Sequence, residues 1–333
     1  MLPHARGRYG GRMSPRTRTA VVVAALALLA AVVVAGSAAL SSEDPGPAVA
    51  PPAPVRRQGA PPLVLDLGAR EDPEAVALRR AAGLYLDGKR PQAAAIFERY
   101  DSLEAKLGAA LAAWPGSLDR IEQLGALYPR SGLVQLHVGL ARYWAGEPAA
   151  LDALREARDV QPDSLYAVRA GNVLHPELAP DLPVFELAEP LPPSIPREDP
   201  ARALELLRRS ETRVLRLYYG HLLQVFGRPV SARRAYDAVA KDYPNDPEAL
   251  VAAAVGRYSK ESPVEAFSRL GPLSGRFPHA ATVRYHLGLL LLWQGDVAKA
   301  RRQLRLARAE EPGSELASSA GRYLAELAKV GTG

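Results

Sequence analysis

The sequence predicts an all-helical repeat protein that follows one N-terminal membrane-spanning helix. The strong helix formers Ala, Leu and Arg are frequent, and β-branched runs are scarce outside residues 21 to 34. A charge-free apolar run lies near the N-terminus, and prolines recur every 34 residues in the second half. Hydrophobic residues make up 48% and charged residues 23% of the chain, a composition typical of a folded body.

The N-terminal run predicts a transmembrane signal-anchor helix over residues 19–41. No charged residue occurs from Thr19 to Ser42, and about 20 apolar residues in a helix match a hydrocarbon core of about 30 Å. Residues 1–18 form a basic tail with five arginines, which predicts a cytoplasmic N-terminus. The body is then extracytoplasmic, and the protein is a single-pass protein of the cell membrane. The five arginines are Arg6, Arg8, Arg12, Arg16 and Arg18.

A cleaved signal peptide is the alternative interpretation of this run. Residues 35–42 offer small residues suited to cleavage, but the apolar core exceeds the 7 to 15 residues typical of a signal peptide. The length favours an uncleaved anchor, and both interpretations export the body. Ala27, Ala31, Ala35 and Ala39 would share one helix face, which predicts a homodimer through the transmembrane helix unless the spacing merely reflects an alanine-rich chain.

The distribution of charge gives no indication of a basic surface for nucleic acid. The formal net charge is +6, but removing the five tail arginines from the 42 basic residues leaves 37 against 36 acidic residues. The body is therefore charge-balanced, and no nucleic-acid partner is expected. The sequence contains no cysteine, which excludes disulfides, thiolate metal sites and a cysteine nucleophile.

A linker rich in Pro and Ala occupies residues 42–70. It has almost no periodicity, which is typical of an extended, semi-rigid spacer that holds the body clear of the bilayer.

The second half of the body is a helix-turn-helix array with three clean 34-residue units over residues 213–314. Each unit ends in a proline, which terminates a helix. Each also carries small residues that let its two helices pack closely. Less regular units occupy residues 71–174, one of them containing Gly139. The predicted packing residues of the array are Gly139, Gly220, Ala232, Pro244, Ala254, Ala266, Pro278, Gly288, Ala300 and Pro312.

A Pro-rich insertion, residues 175–199, divides the body, and residues 200–330 hold the C-terminal repeats and a capping helix. Eight prolines in residues 175–200 rule out a continuous helix. The flanking segments favour one repeat with an expanded turn, and the alternative is a separator between two solenoids. The apolar residues of the insertion predict that it packs on the solenoid, with the groove as one location.

The sequence lacks the common motifs of metal-dependent hydrolases, serine hydrolases and nucleotide-binding proteins. There is no HExxH pair, GxSxG elbow or P-loop. His279 and His286 are seven residues apart, but no nearby ligand completes a metal site. We therefore expect no catalytic residues, no metal and no cofactor.

The period, the small-residue positions and the closing prolines together resemble the tetratricopeptide (TPR) repeat family. This resemblance implies a right-handed superhelix whose first helices line a concave groove that binds peptides or partner helices. Apolar residues stand at most positions that correspond to the Lys and Asn set of the carboxylate-clamp subfamily, so chaperone C-termini are not the expected ligands. Projected onto the repeats, the candidate groove residues are Tyr143, Trp144, His221, Gln224, Tyr258, Tyr285, Leu289 and Trp293.

The sequence thus predicts a non-enzymatic, membrane-tethered scaffold that binds protein or peptide partners at the extracytoplasmic face. Exported TPR proteins with one anchor resemble assembly factors for envelope complexes, including translocon-associated chaperones and cytochrome c maturation subunits. The alternatives are a secreted binding module released by signal cleavage and an accessory subunit of an enzyme complex.

Overall fold

The chain folds into antiparallel helix pairs joined by short turns. A computed structural model describes residues 56–330 except Glu198, and the predicted basic tail, membrane helix and first part of the linker lie outside these residues. Among the described residues there are fifteen α-helices and no strand. The first seven are α1 (Pro73–Leu86), α2 (Arg90–Phe97), α3 (Leu103–Ala112), α4 (Leu118–Leu127), α5 (Gly132–Ala145), α6 (Ala150–Val160) and α7 (Leu165–Leu174).

Eight further helices follow the Pro-rich insertion. They are α8 (Pro200–Arg208), α9 (Arg213–Val225), α10 (Pro229–Asp242), α11 (Pro247–Val255), α12 (Val264–Arg276), α13 (Ala281–Trp293), α14 (Val297–Glu310) and α15 (Glu315–Val330).

The clean units repeat with a constant period in the structure as well. Helices α9, α11 and α13 begin at Arg213, Pro247 and Ala281, and their partners end at Asp242, Arg276 and Glu310, so both boundaries recur every 34 residues. Pro244, Pro278 and Pro312 each stand two residues beyond a helix end, where proline cannot extend the helix.

Local capping explains where many helices begin. The side chains of eight N-cap residues accept a backbone N–H three residues on, which satisfies one of the free donors of the first turn. Proline follows the cap in three of these helices, where its fixed φ suits the first turn. The eight caps are Asp72, Ser102, Ser131, Ser164, Asp199, Asp246, Asp296 and Ser314.

Small residues set the distance between paired helices. A Cβ added at Gly139 would lie 2.8 Å from Leu154, and one at Gly288 would lie 2.9 Å from Leu304. A Cβ at Gly220 would overlap the ring of Tyr236. The predicted alanine positions are all buried at helix-pair contacts: Ala232, Ala254, Ala266 and Ala300.

The apolar side chains form two main cores rather than one. The N-terminal core joins residues from Leu63 to Ala170, and the C-terminal core joins residues from Ala179 to Leu327. Helix α7 packs on α5 and α6, whereas α8 packs on α9. The structure therefore differs from the expected expanded turn. Helix α7 packs on helices that precede the insertion and α8 on a helix that follows it, so the insertion separates two helical blocks.

No helix among residues 56–330 is both long enough and apolar enough to cross a membrane.

Candidate functional site in two grooves

Residues 57–67 of the predicted linker pack against the N-terminal block instead of serving as a free spacer. They lie along α1, α3 and α5, the first helices of its pairs, and along its last helix α7, a face that we call the N-terminal groove. Leu63 and Leu67 are each only 7% exposed and belong to the N-terminal core. Burial on alternate residues, at positions 61, 63 and 67, is typical of an extended chain with one face against the protein.

The N-terminal groove binds the main chain of this segment through hydrogen bonds. Each donor or acceptor comes from a first helix of a pair or from the residues just after it. The five contacts are Arg57 N–H to Trp144 O (2.9 Å), the Trp114 indole N–H to Gly59 O (3.1 Å), the Tyr85 hydroxyl to Pro61 O (2.6 Å), Val64 N–H to His137 Nε2 (2.9 Å) and Asp66 N–H to the Tyr166 hydroxyl (3.2 Å).

Residues 179–189 of the insertion lie in the same way along α9, α11, α13 and α15, a face that we call the C-terminal groove. Phe185 and Leu187 are buried in the C-terminal core. The main-chain contacts are Ala179 N–H to Trp293 O (3.4 Å), the Trp293 indole N–H to Asp181 O (3.3 Å), Gln224 Nε2 to Pro183 O (3.3 Å), Phe185 N–H to Gln224 Oε1 (2.9 Å), His221 Nδ1 to Phe185 O (2.7 Å), Glu186 N–H to His286 Nε2 (2.9 Å) and Ala188 N–H to Glu248 Oε1 (2.6 Å).

The two grooves hold their segments with the same spacing of contacts. Segment positions 57, 59, 61, 64 and 66 correspond to 179, 181, 183, 186 and 188, a constant offset of 122 residues. On the helices, His137 and Trp144 are seven residues apart, as are His286 and Trp293. The chain therefore contains two copies of one arrangement, each made of an extended segment and a helical block.

His137 in the N-terminal groove and His286 in the C-terminal groove are neutral acceptors of a main-chain N–H. Nδ1 of His137 lies 2.6 Å from the carbonyl oxygen of Leu133, and Nδ1 of His286 lies 2.7 Å from that of Thr282. Nδ1 must therefore carry the proton, which leaves the Nε2 lone pair free to accept the segment N–H. Complete burial disfavours the charged imidazolium and lowers the pKa of each histidine to about 4.

The C-terminal groove also contacts the side chains of its segment. The Phe185 ring is fully buried, stacks on His286 at a centroid distance of 4.8 Å and meets Tyr236 edge-on at 5.5 Å. The Glu186 carboxylate accepts hydrogen bonds from the Tyr285 hydroxyl (2.6 Å) and the Ser319 hydroxyl (2.9 Å).

Six of the eight predicted groove residues touch one of the two segments. Trp144, His221, Gln224, Tyr285 and Trp293 do so through the hydrogen bonds given above. Tyr143 bonds to Arg57, whose guanidinium lies over its ring at 4.1 Å. The segments belong to the same chain, so binding of a separate partner by these residues stays a prediction.

For Tyr258 and Leu289, contact with a ligand stays a prediction. Both are buried in the C-terminal core, as are Tyr285 and Trp293. Leu289 is 1% exposed, and the Tyr258 hydroxyl, just after α11, accepts a hydrogen bond from Gln294 at 2.9 Å.

Sequence reasoning missed several contact residues. The most informative of these are His137 and His286. The similar strings "HVGLARYW" at residues 137–144 and "HLGLLLLW" at residues 286–293 were a signal in the sequence that could have identified them. The remaining side chains, Tyr85, Trp114, Tyr166, Glu248 and Ser319, follow no common spacing.

The described residues contain no cluster of three or more His, Asp or Glu side chains that could hold a metal ion. The polar atoms of the grooves act as hydrogen-bond donors and acceptors toward an extended main chain.

Helix pairs with a 34-residue period, closing prolines and a first-helix face that holds an extended chain define a TPR-like α-solenoid. The chain is similar to YrrB, described as a TPR protein with an unusual peptide-binding site, at 15% identity and a TM-score of 0.30. That match covers 62% of this chain and 99% of YrrB. It is also similar to yeast Tom70 at 14% identity and a TM-score of 0.33, over 81% of this chain and 52% of Tom70.

No protein-family model matches the sequence, and no curated protein is significantly similar to it. The assignment of the fold rests on the helix pairs and their packing.

Proposed function

We propose that the protein is a non-enzymatic, membrane-tethered scaffold whose grooves bind extended segments of partner proteins at the extracytoplasmic face. One observation carries the binding part of the proposal. Each groove already satisfies the main chain of an extended segment, with His137 or His286 accepting a backbone N–H at 2.9 Å. A face that pairs the main chain of one segment has the chemistry to pair that of another.

The tether and the compartment are proposed from the N-terminal sequence. Residues 19–41 match the length of a membrane span, and the arginines before them favour a cytoplasmic N-terminus. Terminal sequencing of the mature protein tests the tether. Recovery of Met1 or its neighbours supports the anchor, whereas a terminus within residues 35–45 supports the secreted module. Self-association through this helix stays a prediction.

Crosslinking from intact membranes tests the scaffold. A photoreactive residue replaces Tyr143 or Tyr218, which are half-buried beside the two segments, and matched controls replace Leu151 or Leu306 on second helices. We expect defined protein adducts from the groove positions and none of the same adducts from the controls. Adducts that form equally from both faces would contradict groove binding.

The identity of recurrent adducts tests the pathway. Envelope-complex assembly predicts subunits of one such complex among them, and the accessory-subunit alternative predicts an enzyme.

A further inference from the structure

We propose that the C-terminal groove selects peptides in which an acidic residue directly follows an aromatic residue. Segment 179–189 is then an internal copy of that ligand, and a partner has to displace it. This inference rests on the proposed function, since it requires that the groove accepts segments of partners.

The main-chain contacts do not supply this selectivity. Five of the seven recur in both grooves at equivalent positions, and backbone N–H and C=O groups are common to all peptides. Such contacts fix the register of an extended peptide, and the side-chain pockets between them discriminate among sequences.

The aromatic position is defined by a closed pocket. Phe185 is 0% exposed and lies between the His286 and Tyr236 rings. An aromatic ring in this arrangement gains from burial and from ring contacts, whereas a smaller side chain leaves a void.

The acidic position is defined by two hydroxyl donors from different helices. Glu186 Oε1 accepts from Tyr285 on α13, and Oε2 accepts from Ser319 on α15. Ser319 Oγ in turn accepts from Arg322 at 2.7 Å, so its own proton is directed at the carboxylate and a cation lies behind it. Hydrogen bonds to an ionised acceptor are stronger than those to a neutral amide, which favours Glu over Gln.

The N-terminal groove provides the internal comparison. Its segment has Val64 where the other has Glu186, and Val64 uses its N–H in the same way toward His137. The acid-binding pair of hydroxyls is thus an addition to a shared main-chain arrangement, which is expected of a feature that discriminates between ligands.

The position of the segment in the chain permits displacement. Helices α7 and α8 on either side pack on different neighbours, so release of residues 179–189 breaks neither helix pair. A tethered segment competes at an effective concentration of roughly millimolar, which hides the site from weak ligands. Weakening the internal segment should therefore reveal peptide binding.

The test uses the full chain in detergent and a fluorescein-labelled peptide of residues 179–189, APDLPVFELAE, with anisotropy as the readout. A second peptide carries Gln in place of the residue equivalent to Glu186. The proteins are wild type, Glu186→Ala and Phe185→Ala, the second segment variant being included in case one fails to fold. Circular dichroism and thermal melting check folding.

We expect the Glu peptide to bind Glu186→Ala at least about ten-fold more tightly than wild type, and the Gln peptide to bind this variant about ten-fold more weakly than the Glu peptide. Adding Ser319→Ala, which removes one of the two hydroxyl donors, should reduce the difference in affinity between the two peptides. Adding Ser318→Ala, an exposed serine one residue away on α15, should leave the difference intact.

Equal affinity for the two peptides would overturn acid selection while leaving groove binding in place. Binding of neither peptide to either folded segment variant would overturn the inference altogether. The proposed function would then be judged by the groove crosslinks, which depend on neither peptide.

Discussion

His137 and His286 can each accept the hydrogen bond from the extended segment only in the neutral form. Their Nε2 atoms accept a backbone N–H at 2.9 Å, and protonation would place a donor against a donor. Each imidazole donates from Nδ1 to a carbonyl oxygen of its own helix and accepts at Nε2 from the passing segment.

The first prediction concerns pH. Burial lowers the folded-state pKa of both histidines to about 4, below the unfolded value of 6.5. The unfolded chain thus binds more protons between these values, and stability falls as the pH falls from about 6.5 toward 4. Between pH 7.5 and 5.5 the free energy of unfolding should drop by roughly 1 kcal/mol per histidine, measured by urea denaturation.

Matched variants assign parts of this slope to individual histidines, since burial also lowers the pKa of His221. His286→Phe should remove a clear part of the loss between pH 7.5 and 5.5, whereas His279→Gln, on an exposed side chain, should retain it. Equal stability of the wild-type protein at both pH values would show that the histidines are not buried in neutral form.

The second prediction concerns the close approach of paired helices. Gly220 faces the ring of Tyr236, so Gly220→Ala should force a shift and destabilise the protein by about 1–3 kcal/mol. Gly83 is an exposed helical glycine where an added Cβ would meet no atom within 4 Å, so Gly83→Ala should stabilise by up to about 1 kcal/mol. Chemical denaturation measures both, and a neutral Gly220→Ala would rule out the tight contact.

The two extended segments, residues 57–67 and 179–189, have no periodic sequence pattern, but each is held in its groove by defined main-chain hydrogen bonds. The third prediction is that backbone amides of Phe185, Glu186 and Ala188 exchange slowly with deuterium, because each donates to a groove side chain. Amides on the exposed turn at Ser194 and Arg197 should exchange quickly. Rapid exchange at all five, with protected flanking helices, would mean that the segment does not occupy the groove.

The helices and the segments differ in how far the sequence alone could predict them. Helix pairs depend on local features, so Pro244, Pro278 and Pro312 with their small residues indicated the boundaries of three units. The segment contacts join residues far apart, such as Val64 with His137 and Glu186 with His286. No local pattern encodes such pairings, and Pro-rich composition indicated a spacer at residues 57–67.

Part of the candidate groove was also predictable, because the face of a helix follows from the local sequence period. The helical repeat placed Tyr285 and Trp293 on the first-helix face, where both contact Asp181 or Glu186. Leu289 on the same helix is buried in the C-terminal core, and the projection of a single repeat does not include the extended segment that belongs to this core.

At the scale of the whole molecule, the two blocks are joined by polar contacts more than by shared core. Asp163, just before α7, accepts hydrogen bonds from the backbone N–H and hydroxyl of Ser231 in the first turn of α10, at 3.0 and 2.5 Å. Its carbonyl oxygen also accepts from Arg228 at 3.1 Å. A residue of one block thus caps a helix of the other.

A second set of contacts lies at the other end of this junction. Lys260 donates to Asn172 at 2.7 Å, and Arg158 pairs with Glu261 at 2.8 Å. Burial lowers the pKa of Lys260 to about 8, so this contact weakens as the pH rises above that value. These polar contacts add to direct packing of the Gly227 turn against Leu165, where an added Cβ would lie 2.9 Å from the Leu165 main chain.

The fourth prediction follows from that junction. Asp163→Ala leaves the first turn of α10 without its cap and should destabilise the C-terminal block by about 1–2 kcal/mol. Because the two cores are separate, scanning calorimetry should show one transition for the wild-type protein and two for the variant. Asp163→Asn, which keeps an acceptor oxygen, should lie between them.

Asp152→Ala is the matched control, since Asp152 is exposed and pairs with Arg155 on its own helix. It should leave the calorimetric profile unchanged, because a surface ion pair contributes little. Trp114 and Trp144 lie in the N-terminal block and Trp293 in the C-terminal block, so tryptophan fluorescence distinguishes the two. Adding Trp293→Phe to Asp163→Ala should abolish the fluorescence change that accompanies the lower-temperature transition. A single transition at the wild-type temperature in Asp163→Ala would mean that the blocks are coupled by their packing instead of by this cap.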